Sequence, residues 1–156
     1  MKSSAVASPS SLPTPALRIV IDTSVLVAAS RSRRGASFAI LSQIPSPAFQ
    51  PCLSVALYVE WQQALSRAEN VPRGLTAETV AGFLRYIASQ SYLQEIYFLW
   101  RPVLKDPNDD MVLELGVASQ SKVIVTHNVA DFAGADRFGI DVVNPASFLV
   151  RLRGER

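Results

Sequence analysis

The sequence predicts an α/β fold in which a mostly parallel central sheet is flanked by helices. Two short runs, residues 18–21 (RIVI) and 123–125 (VIV), have no polar interruption, which is typical of strands buried on both faces of a parallel sheet. Apolar residues recur at helical spacing over 55–68 and 76–89. Strands that alternate with helices predict a sheet covered on both faces, with ligands bound beyond the carboxyl ends of the strands.

The remaining elements are less strongly patterned. Residues 48–53 are predicted as a strand, and because this run is bounded by Pro47 and contains Pro51, which donates no backbone hydrogen bond, the strand is expected at an edge of the sheet. A further strand is predicted over 95–100, before Pro102. The other predictions are short helices after residues 22 and 35, a helix that starts at 106–108 and is apolar over 111–118, a strand over 140–143 and a terminal helix from 144–145.

Length and composition favour one domain. The chain has 156 residues, of which 49% are hydrophobic, enough to bury one sizeable core. The domain is predicted over residues 17–150, between a disordered tail at 1–16 that is rich in serine and proline and a basic tail at 151–156.

Charge and cysteine content limit the classes of function. The formal net charge is only +2, so the overall charge alone does not indicate a nucleic-acid-binding protein. The single cysteine, Cys52, excludes an internal disulfide and favours a reducing cytoplasm. Its use as a nucleophile would require the single histidine, His127, as partner, and a core position for the thiol is the preferred interpretation. The sequence contains no stretch of about 18 consecutive apolar residues, so no membrane-spanning helix is predicted.

Acidic residues recur where the predicted topology would bring them together. Asp22 and the 126–131 segment both follow buried strands and should emerge at the same edge of the sheet. Asp110 and Glu114 are four residues apart and share the one polar face of their helix. Glu60, one turn into its own helix, can point at the same place. Carboxylates this close repel one another unless a cation lies between them, and an all-oxygen donor set favours Mg²⁺ or Mn²⁺ over zinc.

Each acid also has a purely structural interpretation. Asp22 can be the N-cap of the helix that follows it. Asp106 and Asp109 are preferred as residues that complement the positive end of a helix dipole. A solvated surface position is the simplest role for Glu60. The prediction of a metal site therefore depends on the arrangement of the acids and not on any one of them.

Four motifs, in this order and spacing, resemble the PIN-domain family, and within it the VapC-type toxins of toxin–antitoxin pairs. They are VIDTSVL at 20–26, Glu60 near a helix start, DPNDD at 106–110 leading into LEL at 113–115, and VTHNVADF at 125–132. The resemblance covers roughly residues 17–149. It implies a Rossmann-like sheet and a metal-dependent endoribonuclease that cleaves single-stranded RNA.

The resemblance also assigns roles to residues. The catalytic acids would be Asp22, Glu60, Asp110 and a position in the 126–131 turn. Many members carry an aspartate where this chain has Asn128, and here an acid follows three residues later as Asp131. Asp22, Asp110 and Asp131 would hold the ions, and Glu60 would position or deprotonate the attacking water. Supporting roles are expected for Thr23, Thr126, Asn128 and Glu114.

Binding partners and competing functions complete the expectations. The basic run Arg31, Arg33 and Arg34 is expected to contact RNA, although a solvated loop would explain it equally well. The resemblance implies an antitoxin protein, and the apolar stretch 92–100 suggests a homodimer. Two alternatives remain open: a scaffold with weakened catalysis that binds RNA or protein, and a phosphotransferase in which Asp22 accepts the phosphoryl group with help from Lys105 or Lys122.

Overall fold

The computed structural model describes residues 16–97 and 102–154. Residues 1–15 of the predicted N-terminal tail, positions 98–101 and residues 155–156 lie outside these ranges. Five strands form a single parallel sheet with the order β3-β2-β1-β4-β5, which confirms the predicted fold class. The strands are β1 (Leu17–Ile21), β2 (Phe49–Leu53), β3 (Tyr92–Leu93), β4 (Val123–Val125) and β5 (Asp141–Val143). The helices are α1 (Thr23–Arg31), α2 (Ala36–Leu41), α3 (Val55–Leu65), α4 (Ala77–Ser89), α5 (Pro107–Ala118) and α6 (Pro145–Gly154).

The central strand β1 is built from the apolar run that the sequence singled out. Ile19, Val20 and Ile21 have no exposed surface, because β1 pairs with β2 on one side and β4 on the other while helices cover the sheet. Helix α5 packs against this central part of the sheet. Helix α6 reaches β2 through an edge-to-face contact between Phe148 and Phe49, whose ring centroids are 5.5 Å apart. The carboxyl end of β1 therefore lies at the middle of the sheet edge.

The expectation that β2 would be an edge strand is wrong. Strand β2 lies between β1 and β3. Its proline is accommodated because β3 has only two residues and pairs only with Cys52 and Leu53, so that Pro51 is paired with Ile19 of β1 alone. At this position the strand has a neighbour on only one side, where a missing N–H can be tolerated.

The described part of the strand predicted over 95–100 is not a strand. The structure forms β3 at Tyr92–Leu93, and residues 95–97 are not in a strand. Pairing stops after Gln94, whose backbone N–H donates to the carbonyl of Leu53 at 2.8 Å, because Ser54 then caps α3 and turns the chain away from the sheet. Residues 98–100 of the predicted strand lie outside the described residues.

Helix boundaries follow the predicted signals closely. Ser54, Thr76 and Asp106 are N-caps whose side chains accept backbone N–H bonds in α3, α4 and α5, as their residue types favour. Helix α3 ends at Leu65 instead of continuing to 68, and a 3₁₀ helix (Ala68–Asn70) follows it. Helix α6 includes residues 151–154, where the sequence suggested a tail. No helix within the described ranges has the length and apolar character needed to cross a bilayer.

Candidate active site

Asp22 directly follows β1 and lies at the carboxyl edge of the sheet. Its backbone N–H donates to the carbonyl of Val125 at 3.0 Å, which joins the ends of the two central strands. Only 6% of the residue is exposed. An aspartate with so little exposure requires hydrogen-bond donors or a cation to stabilise its charge.

Two hydroxyl groups hold the Asp22 carboxylate. Its Oδ2 atom accepts hydrogen bonds from Ser24 Oγ at 2.8 Å and from Thr126 Oγ1 at 2.7 Å. Asp22 occupies the N-cap position of α1 but makes no side-chain capping bond. Asp22 is therefore not an ordinary helix cap. Both hydroxyl groups bind the same carboxylate oxygen, Oδ2, and Oδ1 accepts no hydrogen bond from the described residues.

The turn after β4 is fastened to the same two hydroxyls. The backbone N–H of His127 donates to Ser24 Oγ at 3.1 Å, and that of Asn128 donates to Thr126 Oγ1 at 3.0 Å. Thr126 is fully buried. The polar residues after β1 and β4 thus form one hydrogen-bonded unit around Asp22.

Glu60 reaches this unit from α3. Its Oε1 atom accepts a hydrogen bond of 2.6 Å from Thr23 Oγ1, the first residue of α1. Burial raises the pKa of Glu60, and the negative charges of Asp22 and Asp106 act in the same direction. The Thr23 hydrogen bond and the positive charge of Arg67 lower the pKa and only partly offset the increase. Glu60 is therefore not an ordinary solvated surface acid.

The acid that α5 contributes to the cluster is Asp109. Burial is the main cause that raises the pKa of Asp109 to about 6. Four other carboxylates add to this rise through their negative charge: Asp106, Asp22, Asp131 and Glu60. Asp109 therefore shares one electrostatic environment with acids from β1, α3 and the turn after β4.

Asp110 was expected to face Asp22, and the structure places its carboxylate elsewhere. Its Oδ1 atom accepts backbone N–H bonds from Val103 at 3.1 Å and Leu104 at 2.9 Å. Glu114, one turn further along α5, has its pKa raised by burial and by the charge of Asp110, and its Oε2 atom is buried without a hydrogen-bond partner. This pair shares a face of α5, as the spacing predicted, but the face is turned towards the segment that precedes the helix.

The sequence interpretation placed Asp110 in the site, whereas in the structure the charges of the other acids act on Asp109. The fourfold spacing of Asp110 and Glu114 drew attention to that face, and Asp109 was explained as a helix-dipole residue. One signal could have corrected it: Asp106 already caps the helix, with its side chain accepting from Asn108 N at 2.9 Å. A second acid in the first turn therefore required a different explanation.

The fourth acid, Asp131, lies in a 3₁₀ helix (Val129–Phe132) after β4. Asp131 is exposed, and its negative charge contributes to the raised pKa of Asp109. Asn128 precedes this 3₁₀ helix, and its carbonyl accepts the backbone N–H of Asp131 at 3.0 Å. The local fold therefore places an acid near the cluster even though Asn128 carries none.

The donor chemistry of this cluster fits a hard divalent cation. All candidate ligands are carboxylate oxygens, and burial together with neighbouring carboxylates raises the pKa values of Glu60 and Asp109. Within the described part of the chain, no three acidic, histidine or cysteine side chains lie close enough together to hold a metal ion. The fit therefore concerns ligand type: carboxylate oxygens are the ligands that Mg²⁺ and Mn²⁺ prefer, and Mg²⁺ binds through few carboxylates because it retains water molecules.

A groove of about 730 Å³ extends from the acids between α1 and α3. Glu60 and Thr23 line one end, and Arg31 and Arg67 line the part further along both helices. His127 lines the groove as well, and its Nε2 atom is hydrogen-bonded to Ser37 Oγ at 2.8 Å. The imidazole is therefore held in place by the hydroxyl group of Ser37.

The basic run is divided between different surfaces. Arg31 is the last residue of α1 and lines the groove beside the acids. Arg33 lines a separate apolar cleft with Phe38 and Phe83. Arg34 is exposed, and its backbone N–H donates to Ser32 Oγ at 3.3 Å. Arg67 was not identified from the sequence, because only the packing of α3 beside α1 places it at this groove.

The protein is a parallel α/β domain in which four segments contribute acidic residues at the carboxyl edge of the sheet. Sequence comparison identifies its family. A profile of the PIN domain matches residues 18–130, and the chain belongs to the PIN domain family. No curated protein matches the chain significantly.

Three solved structures share the fold. VapBC2 from Rickettsia felis, bound to a DNA fragment from their promoter, has a matching chain with 14% sequence identity and a TM-score of 0.56, and the match covers 82% of this protein and 98% of that chain. VapBC-1 from nontypeable Haemophilus influenzae has 14% identity and a TM-score of 0.56, with 83% and 99% covered. PAE2754 from Pyrobaculum aerophilum has 16% identity and a TM-score of 0.53, with 88% and 90% covered.

Proposed function

We propose that the protein is a metal-dependent endoribonuclease that hydrolyses phosphodiester bonds of single-stranded RNA. The observation that carries the proposal is the hydrogen-bonded unit at the sheet edge, in which Ser24 and Thr126 hold Asp22 and Thr23 holds Glu60. The charges of Asp22, Glu60 and Asp131 also contribute to the raised pKa of Asp109. Four acids that are distant in sequence therefore act on one another at the sheet edge where α/β proteins bind ligands. Membership of the PIN domain family supports a nuclease.

Asp22, Asp109 and Asp131 are the residues that would hold Mg²⁺ or Mn²⁺. Such an ion neutralises charge on the phosphate and lowers the pKa of bound water. Ser24 and Thr126 fix the Oδ2 atom of Asp22 and thereby direct Oδ1 as the ligand atom. Hydroxyl groups that orient a ligand in this way typically change activity by about 10- to 100-fold when removed.

Glu60 is suited to accept the proton of the attacking water. The pKa of Glu60 is raised towards neutral pH, and a general base is most effective when its pKa lies near the working pH. The 2.6 Å hydrogen bond from Thr23 holds one oxygen and fixes the orientation of the group. Asp110, whose carboxylate is occupied by backbone N–H groups, has no part in this scheme.

We further propose that the protein is the toxin of a toxin–antitoxin pair and binds an antitoxin protein. The supporting observation is its fold similarity to chains of VapBC2 and VapBC-1. A small neighbouring gene for a DNA-binding protein would agree with this role. Its absence would remove the toxin proposal and leave the nuclease proposal intact.

A binding module with little catalytic activity is the second candidate function. It is favoured by Asn128, which supplies an amide where many family members supply an acid. The two candidates differ in one property, since a module of this kind would bind RNA without cleaving it.

The deciding experiment incubates purified protein with a labelled unstructured RNA oligonucleotide in Mg²⁺ or Mn²⁺. We expect cleavage that stops when EDTA is added, because the chemistry depends on the ion. Asp22→Asn protein, purified in parallel, controls for contaminating ribonucleases and should be inactive. Cleavage that persists in EDTA, or that equals wild type in Asp22→Asn, would refute the proposed nuclease; binding without cleavage would favour the module.

A further inference from the structure

The groove beside the acids changes its charge along its length. Helix α1 contributes residues 23, 24, 27, 28 and 31 to it, and the α3 side contributes residues 56, 59, 60, 63, 64 and 67. Each set repeats at the spacing of one helix face. Glu60 lies at one end and the arginines Arg31 and Arg67 lie further along, so acids and bases occupy different parts of one groove.

Arg31 is held in a fixed position. Its Nε and Nη2 atoms both donate to Oδ1 of Asn70, at 3.2 and 2.9 Å. Asn70 is only 3% exposed, and its own amide nitrogen donates to the carbonyl of Ala64 at 2.8 Å. The amide is thus anchored to the end of α3 and presents one oxygen to the guanidinium.

The charge of Arg31 is held but not neutralised. Asn70 is uncharged, and the one ion pair found among residues 16–97 and 102–154 joins Arg151 to Asp141. Arg31 remains exposed, and the described residues take up only two of its five N–H groups. A fixed guanidinium with unused donors is suited to bind an anion, especially phosphate.

We propose that Arg31, with Arg67 beside it, binds a phosphate of single-stranded RNA other than the one that is cleaved, and that Asn70 is the residue that positions Arg31. This proposal rests on the proposed function. Arg31 follows Thr23 by eight residues, a rise of about 12 Å along the helix backbone. Glu60 is bound to Thr23 at the start of α1, and the Arg31 guanidinium is bound to Asn70 at the other end of the groove, so a strand lying in the groove would present different phosphates to the acids and to Arg31.

The test uses the inactive Asp22→Asn protein and a short unstructured RNA in which one phosphate at a time is replaced by a neutral methylphosphonate. Affinity is measured for each oligonucleotide with intact Arg31 and with Arg31→Gln. We expect one position at which the replacement weakens binding about tenfold when Arg31 is intact and has little further effect in Arg31→Gln. The slope of log affinity against log salt should decrease by about one in Arg31→Gln.

Two variants separate fixed geometry from charge alone. Arg31→Lys keeps the charge but loses the fork that bonds to Asn70, and it should lose part of the coupling. Asn70→Asp is nearly isosteric and supplies a carboxylate to Arg31, so that it should weaken RNA binding as much as Arg31→Gln. It also loses the donor to the Ala64 carbonyl, so affinity is measured well below the melting temperature of this variant. Arg85→Gln, which removes an exposed arginine from α4, is the control and should bind as wild type.

Several outcomes would overturn the inference. The methylphosphonate replacement could weaken binding equally with intact Arg31 and with Arg31→Gln. Alternatively, the double variant Arg33→Gln and Arg34→Gln could lose as much RNA affinity as Arg31→Gln does. Either result would show that general positive charge is responsible. Arg31-dependent binding of a polyglutamate peptide with unchanged RNA affinity would assign the groove to an acidic protein segment. If wild-type protein cleaves RNA but no phosphate couples to Arg31, this inference fails alone; if it neither cleaves nor binds RNA, the proposed function fails with it.

Discussion

At the scale of single residues, the two adjacent aspartates of α5 have different environments. Asp109 interacts with the acids of the candidate site, whereas Asp110 accepts two backbone N–H bonds. Neighbouring residues on a helix point about 100° apart. Their substitutions should therefore have different consequences.

The first prediction concerns cleavage by these two variants. Asp109→Asn should reduce RNA cleavage by about a hundredfold or more, because it removes a charged oxygen ligand from the proposed ion site. Asp110→Asn should retain activity within a few-fold, since an amide oxygen can still accept from Val103 and Leu104. Rates are measured for both variants under single-turnover conditions, and the reverse order of activities would refute the assignment of Asp109.

The second prediction concerns pH and stability without metal. The pKa of Asp109 lies near 6 in the folded protein, above its ordinary value of 3.8. Between these values the folded state binds the proton more tightly, so the contribution of Asp109 to the free energy of unfolding decreases as pH rises from about 4 to about 6. Relative to Asp109→Asn, wild type should lose melting temperature over this range in EDTA.

Added Mn²⁺ provides the matching control. At pH 7.5 it should raise the melting temperature of wild type and have little effect on Asp109→Asn, because the ion binds the folded state through that carboxylate. Melting curves of both proteins that remain parallel from pH 4.5 to 7.5 would show that Asp109 is not in the raised-pKa environment.

The sequence was sufficient to select Asp22, Glu60 and Asp131 as candidate site residues, because each follows a strand or helix start whose pattern is clear. It was not sufficient to choose between Asp109 and Asp110, since that choice depends on where the backbone N–H groups of Val103 and Leu104 lie. Asn70 was missed for a similar reason. Its contact with Arg31 joins residues 39 apart in sequence, and nothing in their local patterns couples them.

At the scale of secondary-structure elements, the positions of the strand ends decide the site. Strand β1 was predicted correctly because its apolar run is uninterrupted. Strand β2 was predicted at the right residues but at the wrong place in the sheet, because edge or centre depends on partners elsewhere in the chain. Pro51 argued for an edge, and only the two-residue length of β3 explains why β2 can be internal.

The third prediction tests the tie between α5 and the segment before it. Asp110→Ala leaves the N–H groups of Val103 and Leu104 without their acceptor, and Leu104 is buried. We expect the free energy of unfolding to fall by about 1–3 kcal/mol. Denaturant unfolding should show this loss for Asp110→Ala but not for Asp109→Ala, and equal stabilities would mean that the tie contributes nothing.

At the scale of the whole molecule, an exposed apolar surface lies beside the β3 edge of the sheet. Val55, Leu93 and Tyr97 are 82%, 66% and 81% exposed, and all three line one cleft. Apolar side chains grouped in this way are typical of protein–protein contacts. They agree with the homodimer that the apolar stretch from residue 92 suggested.

The fourth prediction is that this surface mediates self-association. Wild type should behave as a dimer in sedimentation or light scattering, and the double variant Val55→Asp and Leu93→Asp should be monomeric, because buried unpaired charges oppose association. Phe83→Asp, which places a charge on the exposed part of α4, is a matched control and should remain dimeric. A monomeric wild type would remove the dimer proposal.

The hydrogen bond between Thr126 and Asp22 spans 104 positions of the chain. During folding, contacts of such long sequence separation form late, because closing a long loop costs conformational entropy before the contact stabilises anything. This bond can form only after β4 and the Thr126 that follows it have been synthesised. A ribosome-bound intermediate that ends before β4 would carry Asp22 without its Thr126 partner, so the proposed nuclease activity should appear only after residue 126 has been made.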